Sequence, residues 1–146
     1  MNRLMAAIER VLALAFIVAV CLNFANVVGR YGFGTSIAGG DEVQVYIMVW
    51  MAFLGAVLVS WRGEHLRMDV LARSFSDRAR TALGRVELVL VIALAAFAVW
   101  QSWSYTEQII AIGRRSDNAG IPMWIPHSAV GLGFALMLLV SILKKR

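Results

Sequence analysis

The chain holds one cysteine, Cys21, two prolines and two histidines in 146 residues, and only 9 acidic side chains against 14 basic ones. A lone thiol closes no internal disulfide, which excludes a disulfide scaffold and a disulfide-generating membrane oxidase, and Cys21 reads as a packing residue. Without clustered cysteines and histidines there is no ligand set for a metal, so no cofactor is expected. No internal repeat or low-complexity stretch is present. The most consequential absence is charge itself: residues 11–29, 43–61, 88–106 and 118–143 contain no Asp, Glu, Lys or Arg.

What fills those runs is apolar. The chain is 60% hydrophobic with a mean hydropathy of +0.73. A helix rising about 1.5 Å per residue needs roughly 20 residues to cross a hydrocarbon core about 30 Å thick. The expected fold is therefore an all-α membrane protein, one integral domain over 1–146 with spans of about 11–29, 43–61, 87–106 and 124–143. Little chain is left for a water-soluble catalytic domain, and the protein is not expected to be an enzyme. The first run is too long for a signal-peptide core and lacks a small-residue cleavage site, so it reads as a retained anchor.

The net charge of +5 would point to nucleic acid in a soluble chain, but here the position of the cations matters, and nucleic acid is not expected as a partner. Arg3 and Arg10 precede the first span. Six arginines, Arg62, Arg67, Arg73, Arg78, Arg80 and Arg85, fall between the second and third spans, and Lys144, Lys145 and Arg146 close the chain. Only Arg30, Arg114 and Arg115 lie in the other connections. Basic residues in short loops stay preferentially in the cytoplasm, so both termini and the middle loop are expected there. Tyr31, Trp103, Tyr105 and Trp124 then gather at the outer interface and Trp61 at the inner one. Trp50 falls mid-span, where its indole N–H calls for a protein-facing position.

Between the second and third spans, residues 68–86 place Met68, Leu71, Phe75, Leu83 and Val86 on one helical face, with Asp69, Arg73 and Arg80 on the other. This predicts an amphipathic helix lying in the cytoplasmic interface, its arginines near phospholipid head groups. Ser and Asp between 74 and 77 mark a helix start. The other two connections are short turns rich in glycine. Asp41 and Glu42 open the second helix, where negative charge complements the helix dipole, and Pro126 suits the first turn of a fourth helix beginning near Trp124.

No span has an ionisable residue near its centre, which weakens a proton- or ion-driven carrier of the small multidrug type. A redox-enzyme anchor clamping one haem between two histidines is also disfavoured: His65 and His127 fall near opposite membrane faces. Gly55 with Ala52 and Ala56, and Gly131, Gly133 and Ala135, are small-residue patches of the kind that permit close helix approach. Polar side chains such as Asn23, Asn26, Gln44 and Gln101 serve as weak interhelical glue. Together these features point to a subunit of a larger membrane assembly, a need that a bigger membrane partner or a homo-oligomer would meet.

The motif order resembles the small membrane subunit, DctQ-like, of tripartite ATP-independent periplasmic (TRAP) transporters. Asn26, Gly29, Arg30, Tyr31 and Phe33 close the first helix; Asp41, Glu42 and Val43 open the second, followed by Val49 and Trp50, then Phe53, Leu54, Gly55 and Ala56. The stretch Arg62, Gly63, Glu64, His65, Leu66, Arg67, Met68 and Asp69 is the most family-like, and Gly120, Pro122 and Trp124 precede the last span. Gly39 and Gly40 depart from a pattern that favours a bulkier residue before the acidic pair, and Val130 replaces a common proline.

The resemblance implies a three-part importer. A periplasmic solute-binding protein captures a carboxylate-bearing solute, and a large membrane subunit carries it inward on a sodium gradient by an elevator motion. The small subunit binds no substrate and serves as static scaffold. It implies Arg30 and Glu42 as candidates for a salt bridge between the first two helices or for contact with the binding protein, and His65, Arg67 and Asp69 for the turn into the cytoplasmic helix or for the large subunit or lipid. Asn26, Tyr31, Trp50, Gly55, Arg62 and Trp124 complete the candidate partner- or lipid-facing set. The alternative is a four-helix anchor or assembly subunit of another complex, such as a redox enzyme, with a homo-oligomeric small transporter behind it.

Overall fold

The computed structural model describes residues 2–62 and 77–143, which form four long helices. They are α1 (Asn2–Gly32, 31 residues), α2 (Gly40–Arg62, 23), α3 (Asp77–Ile112, 36) and α4 (Trp124–Leu143, 20). At about 1.5 Å per residue they measure from roughly 30 to 54 Å, so each can cross a bilayer and α1 and α3 overshoot it. Their most apolar stretches have mean hydropathies of 1.9 to 2.5. Very large side chains stand in the open: Phe24 on α1 is 69% exposed and Leu94 on α3 is 68%. Faces of this kind are aggregation sites in water and ordinary in lipid.

Each helix end has a local cause. The Gly29 carbonyl accepts from the N–H groups of Phe33 (3.1 Å) and Thr35 (3.0 Å), which winds up the end of α1. α3 closes in a Schellman arrangement around Gly113, whose φ is +66°: Arg114 N–H reaches back to the Ile109 carbonyl at 3.3 Å and Gly113 N–H to that of Ile110 at 3.0 Å. α4 begins at Trp124 with Pro126 in its first turn, where a missing N–H costs nothing.

The helices pack in the order α1, α2, α4, α3, an open row with α2 and α4 in the middle. α2 and α4 run parallel, since Tyr46 meets Met123, Phe53 meets Phe134 and Val57 meets Val140. α1 lies antiparallel to α2, and α3 antiparallel to α4, where Tyr105 stacks edge-on against His127 at 5.1 Å. Close approach in the centre depends on Gly133: a Cβ there would sit 2.7 Å from the Phe53 Cβ. Near the Arg62 end, Met5, Val57 and Val140 form the tightest apolar cluster, joining three helices.

The sequence pattern separates an amphipathic segment 68–86 from the third span, but residues 77–86 continue unbroken into α3. Leu83 and Val86, 52% and 55% exposed, share the helical register of Leu90 and Leu94, and Gly84 is too weak a breaker to interrupt it. The first part of that segment lies outside the described residues. Of the glycines expected to permit close helix approach, Gly131 and Gly133 do so within the chain, whereas a Cβ at Gly55 would meet nothing within 4 Å.

Candidate functional site

The polar chemistry of the described residues concentrates at the two ends of the row. At the end bearing the loops 33–39 and 113–123, the acidic pair of α2 is the organiser. Consecutive helix residues point about 100° apart, so Asp41 and Glu42 face different neighbours. Asp41 turns to α1: its Oδ1 accepts from Asn26 Nδ2 at 2.7 Å and its Oδ2 from Arg30 at 3.3 Å. Asn26 is the one buried polar side chain among the described residues, 5% exposed, and its Oδ1 accepts the Ile37 N–H at 3.0 Å. One asparagine thus ties α1, the 33–39 loop and α2 together. One turn deeper, Asn23 donates to Gln44 at 3.1 Å.

Glu42 turns the other way, to the loop before α4. Its carboxylate accepts the backbone N–H groups of Asn118 (3.1 Å) and Ala119 (2.9 Å) and the Asn118 side-chain amide (3.1 Å). Such charge-assisted bonds are the strong class. The loop is itself knotted, with Ser116 N–H on the Ile121 carbonyl (2.9 Å), Met123 N–H on that of Arg114 (3.0 Å) and Arg115 on that of Gly120 (3.1 Å). It presses against the start of α2: Gly39 has φ +72°, and a Cβ there would lie 2.6 Å from Ala119. The backbone of the neighbouring loop occupies the space that a side chain at position 39 would need.

At the opposite end, Arg62 of α2 pairs with Glu9 of α1 at 2.8 Å. Both salt bridges leave their side chains about half exposed or more. In water such pairs hold register more than they add stability.

The candidate residues therefore scatter over several surfaces. Asn26, Arg30 and Glu42 fall in the first cluster, but Arg30 pairs with Asp41 and not with Glu42, which corrects the expected Arg30–Glu42 bridge. Tyr31 is 82% exposed at the end of α1, and Trp124 is 43% exposed at the start of α4. Trp50 is half-buried in a groove beside α2. His65, Arg67 and Asp69 lie outside the described residues. Asp41 and Glu9 escaped the candidate set: capping accounted for Asp41 as well as for Glu42, and Glu9 lay just before a charge-free run. Among the described residues, no group of three His, Cys, Asp or Glu side chains could hold a metal.

The family described as "Tripartite ATP-independent periplasmic transporters, DctQ component" matches residues 19–145. A TRAP transporter small permease protein of Haemophilus influenzae is 31% identical over 74% of this chain and 66% of its own length. The ectoine TRAP transporter small permease protein TeaB of Halomonas elongata is 27% identical over 86% of this chain and 65% of its own. The C4-dicarboxylate TRAP transporter small permease protein DctQ of Vibrio cholerae is 27% identical over 90% and 66%. The chain thus spans just under two thirds of the length of these relatives.

Proposed function

This chain belongs to the DctQ-component family of TRAP transporters, and on that premise we propose that it is the static scaffold of a sodium-driven importer for a carboxylate-bearing solute. As a member of that family it is a multi-pass inner-membrane transporter subunit, not an enzyme. In the proposed complex it braces a large elevator-type membrane subunit, leaving solute capture to a periplasmic binding protein. Two of the relatives carry ectoine and C4-dicarboxylate in their names, both small molecules that bear a carboxylate, which supports a solute of that class here.

The observation that carries the scaffold reading is the open row. Four helices side by side bury few of their own side chains and offer long apolar flanks on α1 and α3, while their polar groups are spent on clamping the ends. A wall built this way has surface for a partner and for lipid, and its polar chemistry serves its own geometry.

Both termini are proposed to be cytoplasmic. The Asp41 and Glu42 cluster then faces the periplasm, where Arg30, Tyr31 and Trp124 are the residues placed to meet the binding protein or the membrane surface. On the cytoplasmic side, Arg62, His65, Arg67 and Asp69 are assigned to the large subunit or to phospholipid head groups. The spacing of Met68, Leu71 and Phe75, with Asp69 and Arg73 on the other face, supports an interfacial, lipid-contacting role for residues 68–76, ahead of α3.

The test is co-purification from gentle detergent followed by reconstitution. The tagged chain should bring down one large membrane subunit without haem absorbance, and uptake by the pair should require the binding protein and an inward sodium gradient. Recovery with a redox enzyme instead would contradict the reading.

A further inference from the structure

Of the polar side chains that the sequence offers as glue between helices, Asn23, Asn26 and Gln44 are spent inside the chain, Asn26 on Asp41 and Asn23 on Gln44. Gln101 of α3 is not. It is exposed, and it has no hydrogen-bond partner among the described residues. Its depth makes that informative, because Gln101 lies six residues before Glu107 and so about 9 Å inside the charge-free run 88–106. A carboxamide there carries two N–H donors and an acceptor oxygen, and the surrounding acyl chains satisfy neither.

The residues around Gln101 form a seam. Ala95, Ser102 and Ile109 turn to α4: Ala95 and Ile109 are buried, and a Cβ at Gly131 would sit 3.0 Å from the Ser102 hydroxyl. Leu90, Leu94, Phe97, Gln101 and Gln108 share a side about 110° away, at successive spacings of four, three, four and seven residues. All five are exposed, Leu94 at 68%. A stripe that keeps this heptad period suits a second helix crossing at a shallow left-handed angle. α3 closes one edge of the row, with α4 as its packed neighbour, so the stripe faces away from the rest of the chain.

We propose that this seam joins a second copy of the chain, α3 against α3 about a two-fold axis along the membrane normal, with Gln101 hydrogen-bonded to its counterpart. The argument is complementarity. Every copy inserts in the same orientation, so two α3 helices related by that axis run parallel and each Gln101 meets the other at its own depth. A carboxamide donates and accepts, so the pair satisfies itself; any other occupant must bring a matching polar group to this one level. Gln108 repeats the match two turns further on, and Leu90, Leu94 and Phe97 supply the apolar packing below. This goes beyond the scaffold reading and does not depend on it: the rest of the row stays open to the large subunit, and the importer becomes a pair.

The test uses the full chain in two differently tagged copies, co-expressed with the large subunit. A benzophenone photo-crosslinking amino acid replaces Leu94, on the seam, or Val89, 65% exposed on another side of α3. The Leu94 position should join the two tags and the Val89 position should not. In parallel, Gln101→Leu keeps the bulk and removes the amide. It should weaken pairing about threefold to tenfold, read from the dilution dependence of the paired fraction in lipid vesicles, with recovery of the large subunit unchanged. Capture of the large subunit or of lipid alone at Leu94, equal joining of the tags from Val89, or pairing untouched by Gln101→Leu overturns the proposal. If the tags join through Leu94 but no large subunit accompanies the chain, the pairing stands and the scaffold reading falls.

Discussion

Asn26 donates to Asp41 across 2.7 Å, and this contact joins the end of α1 to the start of α2 at the most buried polar side chain described. The same asparagine holds the Ile37 N–H, so removing it orphans a carboxylate oxygen and a loop amide together. Asn26→Leu should destabilise the chain by about 1–3 kcal/mol, read as a lower midpoint of thermal unfolding in detergent. An unchanged midpoint would mean that water replaces the amide without loss.

Glu42 acts on the other side of the same turn. Glu42→Gln retains one acceptor oxygen but loses the charge that gathers the Asn118 and Ala119 N–H groups. The expected result is faster proteolytic nicking within 113–123 in detergent, with helix content by circular dichroism unchanged. Equal cleavage rates would show that the loop is held by its own internal bonds.

The Glu9–Arg62 pair should behave differently, because both side chains are about half exposed. Arg62→Ala is expected to cost no more than about 0.5 kcal/mol, less than Asn26→Leu. Exchanging the charges, Glu9→Arg with Arg62→Glu, should restore what either reversal loses. Failure of the double exchange would indicate that Arg62 has a partner of its own outside this chain.

Two glycines give opposite expectations. Gly133→Val drives a branched side chain into Phe53 and should cost about 1–3 kcal/mol or part α2 from α4, seen as reduced yield of folded monomer. Gly55→Ala meets nothing within 4 Å and should leave unfolding unchanged or raise its midpoint. A loss of complex recovery in Gly55→Ala with normal monomer folding would locate a partner contact on that face of α2.

Much of this architecture could be read in the amino-acid order. Charge-free runs of sufficient length give the four helices, and Pro126 with Trp124 gives the start of α4 to within a residue or so, because hydropathy and proline geometry act locally. The order α1, α2, α4, α3 could not be read, since lipid-facing and protein-facing sides are equally apolar and the pattern carries no inward signal. The pairing of Arg30 with Asp41 was hidden for a related reason. Which of two adjacent acids faces α1 depends on the approach of the 33–39 loop, set by Gly39 at φ +72° against Ala119, a contact between segments eighty residues apart. Residues 77–86 show the converse: their spacing in the sequence sets them apart from the third span, yet helix propensity carries them straight into α3.

The most direct measurement is solute uptake by vesicles containing this chain alone, compared with vesicles that also hold the large subunit, both with binding protein and an inward sodium gradient. The scaffold account expects no uptake above that of empty vesicles from the chain alone, and uptake once the large subunit is present. Solute movement by the isolated chain would contradict it.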